Sequence, residues 1–135
     1  MNRLLTAAAL TFALSTGLSA ADHPDHAAAA AVPAAPVPGV REFTSVNIEF
    51  KGSKVWVPSV FIVKKGDKVK LTLINNAPSG VHGFAVDEFG IKVSVNNDEK
   101  DNKKVVEFTA DKTGLFRTYC HLHPAHIGGQ ILVIE

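Results

Sequence analysis

The sequence contains little cysteine, methionine, tryptophan or tyrosine, and it has almost no excess charge. Among its 135 residues there is one of each of these four types, and the single cysteine is Cys120. One cysteine excludes an internal disulfide and also a binuclear metal centre that needs two bridging thiolates. The formal net charge is +1, from 14 basic and 13 acidic residues. This balance provides no basic surplus for nucleic acid or for an anionic membrane surface.

The sequence also lacks an apolar run long enough to span a bilayer. Near its start, Arg3 precedes a short apolar run over 4–14, and small residues follow over 15–21. This order is typical of a cleaved export signal. We therefore predict a signal peptide over 1–21, cleavage behind Ala20 or Ala21, and a periplasmic protein that is not inserted in the membrane.

Residues 22–39 are mostly alanine, proline and valine after a short polar start. Pro33, Pro36 and Pro38 are incompatible with a regular helix, so we expect a flexible arm. The remaining residues, 40–135, are enough for one domain with a single hydrophobic core.

Short strands are predicted throughout residues 40–135, and no segment has helical periodicity. From Lys68 to Leu73 polar and apolar residues alternate, as in a strand with one buried face. Turn signals at 64–67, 75–80 and 111–114 separate the apolar segments. Many short strands with such punctuation indicate an all-β antiparallel sandwich or barrel. Further strands are expected around 43–50, 60–63, 84–86, 91–95, 105–108, 115–119 and 131–134.

The strongest functional signal is the segment 119–126, which reads Tyr-Cys-His-Leu-His-Pro-Ala-His. Cys120, His123 and His126 are spaced C-x-x-H-x-x-H. A thiolate with nearby imidazoles is a ligand set for a soft or borderline metal, copper above all, although zinc also accepts these ligands. A free thiol in an oxidising compartment is a liability unless a metal occupies it.

A mononuclear copper centre usually takes one more imidazole from a second loop. His82 follows the predicted loop 75–80 and is the only histidine of residues 40–135 outside the 119–126 segment. The alternative for His82 is an ordinary surface histidine. His121 directly follows the cysteine, so in an extended backbone its side chain should point away from the metal. It is then either an exposed residue at the mouth of the site or part of an electron route.

Residues 60–75, with Gly66-Asp67 between two apolar strands, resemble the middle strands of the cupredoxins, the small Greek-key β-sandwich proteins of type 1 copper. Residues 113–120 are similar to the strand that carries the cysteine ligand in that family. The resemblance covers roughly residues 41–135. It implies a cupredoxin-like Greek-key sandwich with one copper ion per domain.

Two members of the family have particularly similar motifs. The loop from Cys120 to Gly128 resembles the amicyanin ligand loop, with His126 where that loop carries methionine. The segments 82–90, 108–112 and 122–124 are similar to nitrosocyanin, the red copper protein. This chain departs from nitrosocyanin in carrying His82 where that protein has a glutamate ligand.

The resemblance implies His82, Cys120 and His123 as equatorial copper ligands, with His126 as the fourth ligand. An imidazole donates more strongly than a thioether, so His126 should shift the colour from blue towards green or red and lower the reduction potential.

Three functions fit this site. The first is a one-electron carrier that is not an enzyme and docks an exported redox partner near Pro124 and Ile127. The second is copper handling or tolerance, in which the partner donates or accepts copper. The third is a nitrosocyanin-like copper enzyme with an open site.

A second copper site is conceivable at the start of the mature chain. If cleavage falls behind Ala20, the amine of Ala21, two amide nitrogens and the imidazole of His23 can bind Cu(II) in a square plane. Cleavage behind Ala21 would remove this arrangement, and a solvated arm is the alternative.

Overall fold

The computed structural model describes residues 39–135. The predicted signal peptide, 1–21, and the predicted arm, 22–39 apart from its last residue, lie outside the described residues, as does the conceivable N-terminal copper site. In the described part, nine strands and one 3₁₀ turn form the domain, and no helix there is long and apolar enough to cross a membrane. The elements in chain order are β1 (Val40–Phe50), β2 (Ser53–Val57), β3 (Val60–Lys64), β4 (Lys68–Asn75), β5 (His82–Val86), the 3₁₀ turn (Asp87–Phe89), β6 (Ile91–Val95), β7 (Lys103–Thr109), β8 (Gly114–Thr118) and β9 (Gly129–Ile134).

The strands form a four-stranded sheet in the order β2-β1-β4-β7, a three-stranded sheet β3-β9-β8, and a hairpin of β5 and β6. The hairpin joins the three-stranded sheet through one bridge. The amide of Ala85 donates to the carbonyl of Tyr119 at 2.9 Å, and the reverse bond measures 3.1 Å. The all-β class predicted from the sequence is confirmed.

The sheets are mixed, whereas the sequence predicted antiparallel pairing throughout. β1 pairs with β4 and β3 pairs with β9 in parallel, and the other strand pairs are antiparallel. The physical reason is the chain path. The chain leaves the four-stranded sheet after β2 and returns to it with β4, so the two parallel pairs join strands that do not follow one another in the sequence. The alternation of polar and apolar residues cannot indicate whether two strands pair in parallel, because it is the same in parallel and antiparallel strands.

The core lies between the sheets, and β4 shows how the sequence pattern produces it. Val69, Leu71 and Leu73 point inward and are buried, while the alternating residues between them are more exposed. This is the period-2 pattern of a strand with one face in the core. Other core side chains include Trp56, Phe61, Phe84, Val86, Val95, Phe116, Ile131 and Val133.

The strand ends determine where the functional side chains meet. His82 is the first residue of β5, and Cys120 lies two residues beyond the end of β8. Because the Ala85–Tyr119 bridge aligns β5 with the chain leaving β8, His82 and Cys120 come to the same end of the domain. The loop 120–128 then covers this end before β9 begins.

Candidate metal centre

Four predicted ligands come together at this end of the domain. One side-chain donor atom from each residue lies within 4.8 Å of the donors of the other three. The Sγ of Cys120 is 3.5 Å from the Nδ1 of His123. The imidazole rings are also close, with centroids 4.5 Å apart for His123 and His126 and 5.0 Å apart for His82 and His126. The structure therefore places His82, Cys120, His123 and His126 in one cluster.

The three ligands of the loop are aligned by two consecutive turns. The amide of His123 donates to the carbonyl of Cys120 at 3.4 Å, and the amide of His126 donates to the carbonyl of His123 at 3.0 Å. Each turn advances the chain by three residues, so the three side chains return to one side of the loop. The loop is then fixed to β2, because the amide of Ile127 donates to the carbonyl of Lys54 at 3.0 Å.

His82 is held in a fixed orientation from the other side of the cluster. Its Nε2 lies 3.1 Å from the carbonyl oxygen of Ser79, and the side chain is buried. A carbonyl can only accept, so Nε2 carries the proton and donates it, which leaves the lone pair of Nδ1 free. Metal-binding histidines are usually oriented in this way, by a hydrogen bond from the nitrogen that does not bind the metal.

The buried imidazole nitrogens of His82 and His126 also fit a bound cation. In the part of the chain that the structure describes, the Nδ1 atoms of His82 and His126 are buried and have no hydrogen-bond partner. A buried polar atom without a partner is costly. Burial lowers the pKa of both histidines, and the neighbouring His123 lowers both further, while the bond to Ser79 opposes the shift at His82. Neutral imidazoles are the form that binds a metal.

The spacing of the donors fits a single first-row metal ion. Such ions bind thiolate sulfur at about 2.3 Å and imidazole nitrogen at about 2.0 Å, which holds the donors roughly 3.3–4 Å apart. The Cys120–His123 pair already has this spacing, and the widest pair needs to close by about 1 Å. The residues present therefore fit one mononuclear ion.

The surroundings of the Cys120 sulfur also suit a thiolate. Cys120 is buried, and its Sγ accepts a hydrogen bond from the amide of Gly83 at 3.2 Å. An N–H donor next to a buried sulfur stabilises its negative charge. Gly83 directly follows His82, so one strand supplies both a ligand and a hydrogen bond to a second ligand.

The cluster is open to solvent on the side of the loop. His82 and Cys120 are buried, His126 is half-buried and His123 is exposed. Around His123, the side chains of Leu122 and Ile127 are 43% and 48% exposed. The ligand His123 is thus the one that a second molecule could approach.

Sequence reasoning did not find the residue that supports the loop before His82. The side-chain Nδ2 of Asn75 donates to the carbonyls of Gly80 at 3.0 Å and Val95 at 2.9 Å, and its side-chain Oδ1 accepts from the backbone amide of Ala77 at 3.1 Å. Asn75 is buried. The sequence showed only a loop-forming Asn-Asn pair at this point, which does not distinguish a buried support from an exposed turn residue.

His121 is not part of the cluster. Its ring lies against the backbone of Gly83, where a Cβ atom would be 2.5 Å from the Nδ1 of His121. Its Nε2 lies 3.4 Å from the hydroxyl of Ser94 on β6. The side chain therefore points from the ligand segment towards β6, on the opposite side from the ligands.

The fold and the site define an all-β domain with a cluster of one cysteine and three histidines that could hold a metal ion. The chain belongs to the Cupredoxin-like domain family, whose sequence model matches residues 4–133. This confirms the resemblance to cupredoxins, while the closer likeness to nitrosocyanin stays a prediction.

Among curated proteins, two nitrous-oxide reductases are similar to half of the chain. The protein from Cupriavidus necator is 38% identical over 71 residues and the one from Ralstonia nicotianae is 39% identical over 71 residues. The matched parts are 50% of this chain in both comparisons, and 11% and 10% of the two reductases. The match thus spans about a tenth of the length of these relatives.

Solved structures show the same fold at low identity. A copper-containing nitrite reductase from Thermus scotoductus matches with a TM-score of 0.57 and 21% identity, over 70% of this chain and 28% of that chain. The metal-binding domain of a Cu(I)-exporting P-type ATPase from Streptococcus pneumoniae also has a TM-score of 0.57, with 22% identity, over 75% of this chain and 92% of that one.

Proposed function

We propose that the chain is a mononuclear copper protein that carries single electrons between exported redox partners and catalyses no reaction itself. The observation that carries this proposal is the convergence of one thiolate and three imidazoles within 4.8 Å, at the end of a cupredoxin-like domain. Copper, when bound, supplies a change between Cu(II) and Cu(I), which is a one-electron step. His82, Cys120, His123 and His126 would hold it.

Copper is favoured over zinc by the context of the site. Thiolate and imidazole ligands suit both metals. The family is cupredoxin-like, and the solved structures with this fold include proteins described as copper-containing and as a Cu(I) complex. A structural zinc site would not need a cluster that is open to solvent at His123.

Electron carrying is favoured by the way the ligands are held. His82 is fixed by Ser79, Cys120 by Gly83, and the loop by its two turns and the bond from Ile127 to Lys54. Ligands that the protein holds in place cannot move far when the charge of a bound ion changes, and a small rearrangement makes electron transfer fast. The exposed His123, with Pro124 and Ile127 beside it, would be where a redox partner docks.

The number of donors favours an electron carrier over an enzyme. A catalytic metal site usually keeps one coordination position open for water or substrate. In this cluster three imidazoles and a thiolate are available to one ion, which is enough to complete a four-coordinate site. A copper enzyme with an open position would need one of them, His126 above all, to stay unbound.

Copper handling is the second candidate, and the exposure of His123 favours it. An exposed ligand can be exchanged for a ligand of an incoming acceptor protein, which would let copper leave. The fold likeness to an ATPase metal-binding domain over 92% of that chain is compatible with this role. An electron carrier should retain its bound copper, whereas a copper-handling protein should release it to an acceptor.

Two rates measured on the copper-loaded protein separate the candidates. The first is the electron self-exchange rate between Cu(I) and Cu(II) forms, from NMR line broadening. The second is the rate at which the Cu(I) form loses copper to a chelator such as bathocuproine disulfonate. Rapid self-exchange with slow copper loss supports the electron carrier. Slow self-exchange with rapid copper loss would overturn it in favour of copper handling.

A further inference from the structure

We propose that Trp56 is a positioning residue for the metal centre, acting on the thiolate through Gly83. This inference rests on the proposed copper site and concerns how the protein sets the donor strength of Cys120. The indole Nε1–H of Trp56 donates to the carbonyl of Gly83 at 2.9 Å. The amide of the same glycine donates to the Sγ of Cys120 at 3.2 Å.

The position of Gly83 in the sheet explains why a tryptophan is needed there. On β5, Ala85 exchanges both backbone hydrogen bonds with Tyr119. Continuing this antiparallel ladder, Gly83 would face His121 two residues further along. The chain turns away at Cys120 instead, so the two backbone groups of Gly83 are taken by side chains. The sulfur of Cys120 accepts from its N–H, and the indole of Trp56 donates to its carbonyl.

Gly83 is confined on its other side as well. A Cβ atom there would be 2.5 Å from the Nδ1 of His121 and 3.0 Å from its backbone nitrogen. Both Gly83 and Trp56 are buried, and the indole packs edge-on against the ring of Phe84 at 5.9 Å between centroids. Trp56 belongs to β2 in the four-stranded sheet, so its side chain reaches across the core to β5 and holds the glycine in place from the opposite layer.

The consequence for the site follows from the chemistry of the sulfur. A hydrogen bond to a thiolate withdraws electron density from it and makes it a weaker donor, so the bond favours the reduced form of a bound copper ion. If the carbonyl of Gly83 is no longer held, its amide is free to move away from the sulfur. The thiolate then donates more strongly and favours the oxidised form.

The test is Trp56→Phe, which keeps an aromatic ring against Phe84 and removes the N–H donor. In the metal-free and Cu(I) proteins we expect the NMR signal of the Gly83 amide proton to move upfield, because its hydrogen bond to sulfur weakens. In the Cu(II) protein we expect the thiolate-to-copper absorption band to move to longer wavelength and the reduction potential to fall. The metal-free readout makes the inference testable even if the site does not carry electrons.

A matched control separates positioning from general destabilisation. Val106→Ala removes a buried side chain of β7, on the other edge of the four-stranded sheet from β2, and should lower stability without moving either signal. If Trp56→Phe fails to fold, the benzothiophene isostere of tryptophan, incorporated at position 56, removes the N–H with almost no change of shape. An unchanged Gly83 amide signal and absorption band in the Trp56 variants, or an equal shift in Val106→Ala, would overturn the inference.

Discussion

Asp67 is a buried carboxylate that ties the start of β1 to the turn before β4, and its removal should weaken the whole domain. Its Oδ1 accepts from the amide of Gly39 at 2.8 Å, and its Oδ2 accepts from the amide of Lys64 and the Nε of Arg41, both at 3.0 Å. The side chain has no exposed surface. Asp67→Ala leaves two partly buried amide donors without an acceptor, at about 1–3 kcal/mol each. The half-exposed Arg41 adds little because solvent screens its charge. We therefore expect the free energy of unfolding to fall by about 2–6 kcal/mol at neutral pH.

The same contacts give this effect a pH dependence. Hydrogen bonds from the amides of Gly39 and Lys64 lower the pKa of Asp67 below its usual value of 3.8, although burial opposes the shift. A carboxyl with a lowered pKa in the folded state stabilises that state above the pKa of the unfolded chain. The difference between wild type and variant should therefore be complete at pH 7 and should shrink as the pH falls below about 4.

The assay is urea unfolding of the metal-free protein, followed by the fluorescence of the single, buried Trp56. The control is Asp101→Ala, which removes an exposed carboxylate that also accepts bonds from side chains, those of Asn96 and Lys104. Asp101→Ala should lower the free energy of unfolding much less, because water replaces these hydrogen bonds. A loss in Asp67→Ala no greater than that in the control, or a difference that stays constant from pH 7 to pH 3, would refute this reasoning.

The remaining predictions concern the site and the core. Replacing the fourth donor by His126→Met should raise the reduction potential and move the colour towards blue, measured by redox titration; an unchanged spectrum and potential would show that His126 is not a ligand. Gly83→Ala should lower the free energy of unfolding by about 1–3 kcal/mol, because its new Cβ overlaps the side chain of His121. An unchanged melting temperature would contradict this packing. Leu71→Ala should lower the free energy of unfolding, measured in urea, by about 2–5 kcal/mol, because this side chain is 1% exposed. The thiolate-to-copper absorption band should keep its position.

The strands that the sequence predicted best are those with one face in the core. In β4 the alternation of lysine or threonine with apolar residues gives both the strand and its inward face, and the structure confirms them. β2 was not predicted. Lys51 and Gly52 have positive φ angles of 50° and 80° and form the turn between β1 and β2. The five residues of mixed polarity after this turn are too few for a periodic pattern to stand out.

β1 shows a second limit of sequence reasoning. Its apolar residues Val46 and Ile48 marked the strand correctly, but the structure buries the polar neighbours Ser45 and Asn47 more completely. The hydroxyl of Ser45 donates to the carbonyl of Pro58 at 3.0 Å, so a long-range contact satisfies this buried group. Hydrophobic patterning cannot reveal a buried polar residue whose partner is distant in the sequence.

The donor set of the site was readable because it depends on residue type and spacing. A lone cysteine with histidines at i+3 and i+6 is unusual enough to indicate a metal, and the resemblance to cupredoxins added His82 from a second loop. The supporting residues could not be read in this way. Asn75, Trp56 and Gly83 act through hydrogen bonds between distant segments, and each is an ordinary residue in its local sequence.

The most direct test of the central claim is the visible spectrum of the protein loaded with one equivalent of Cu(II). We expect a strong thiolate-to-copper charge-transfer band that disappears in Cys120→Ser, with a green or red rather than blue position if His126 binds. A protein that stays colourless with Cu(II), or that takes up zinc in preference to copper, would contradict the copper electron-carrier account.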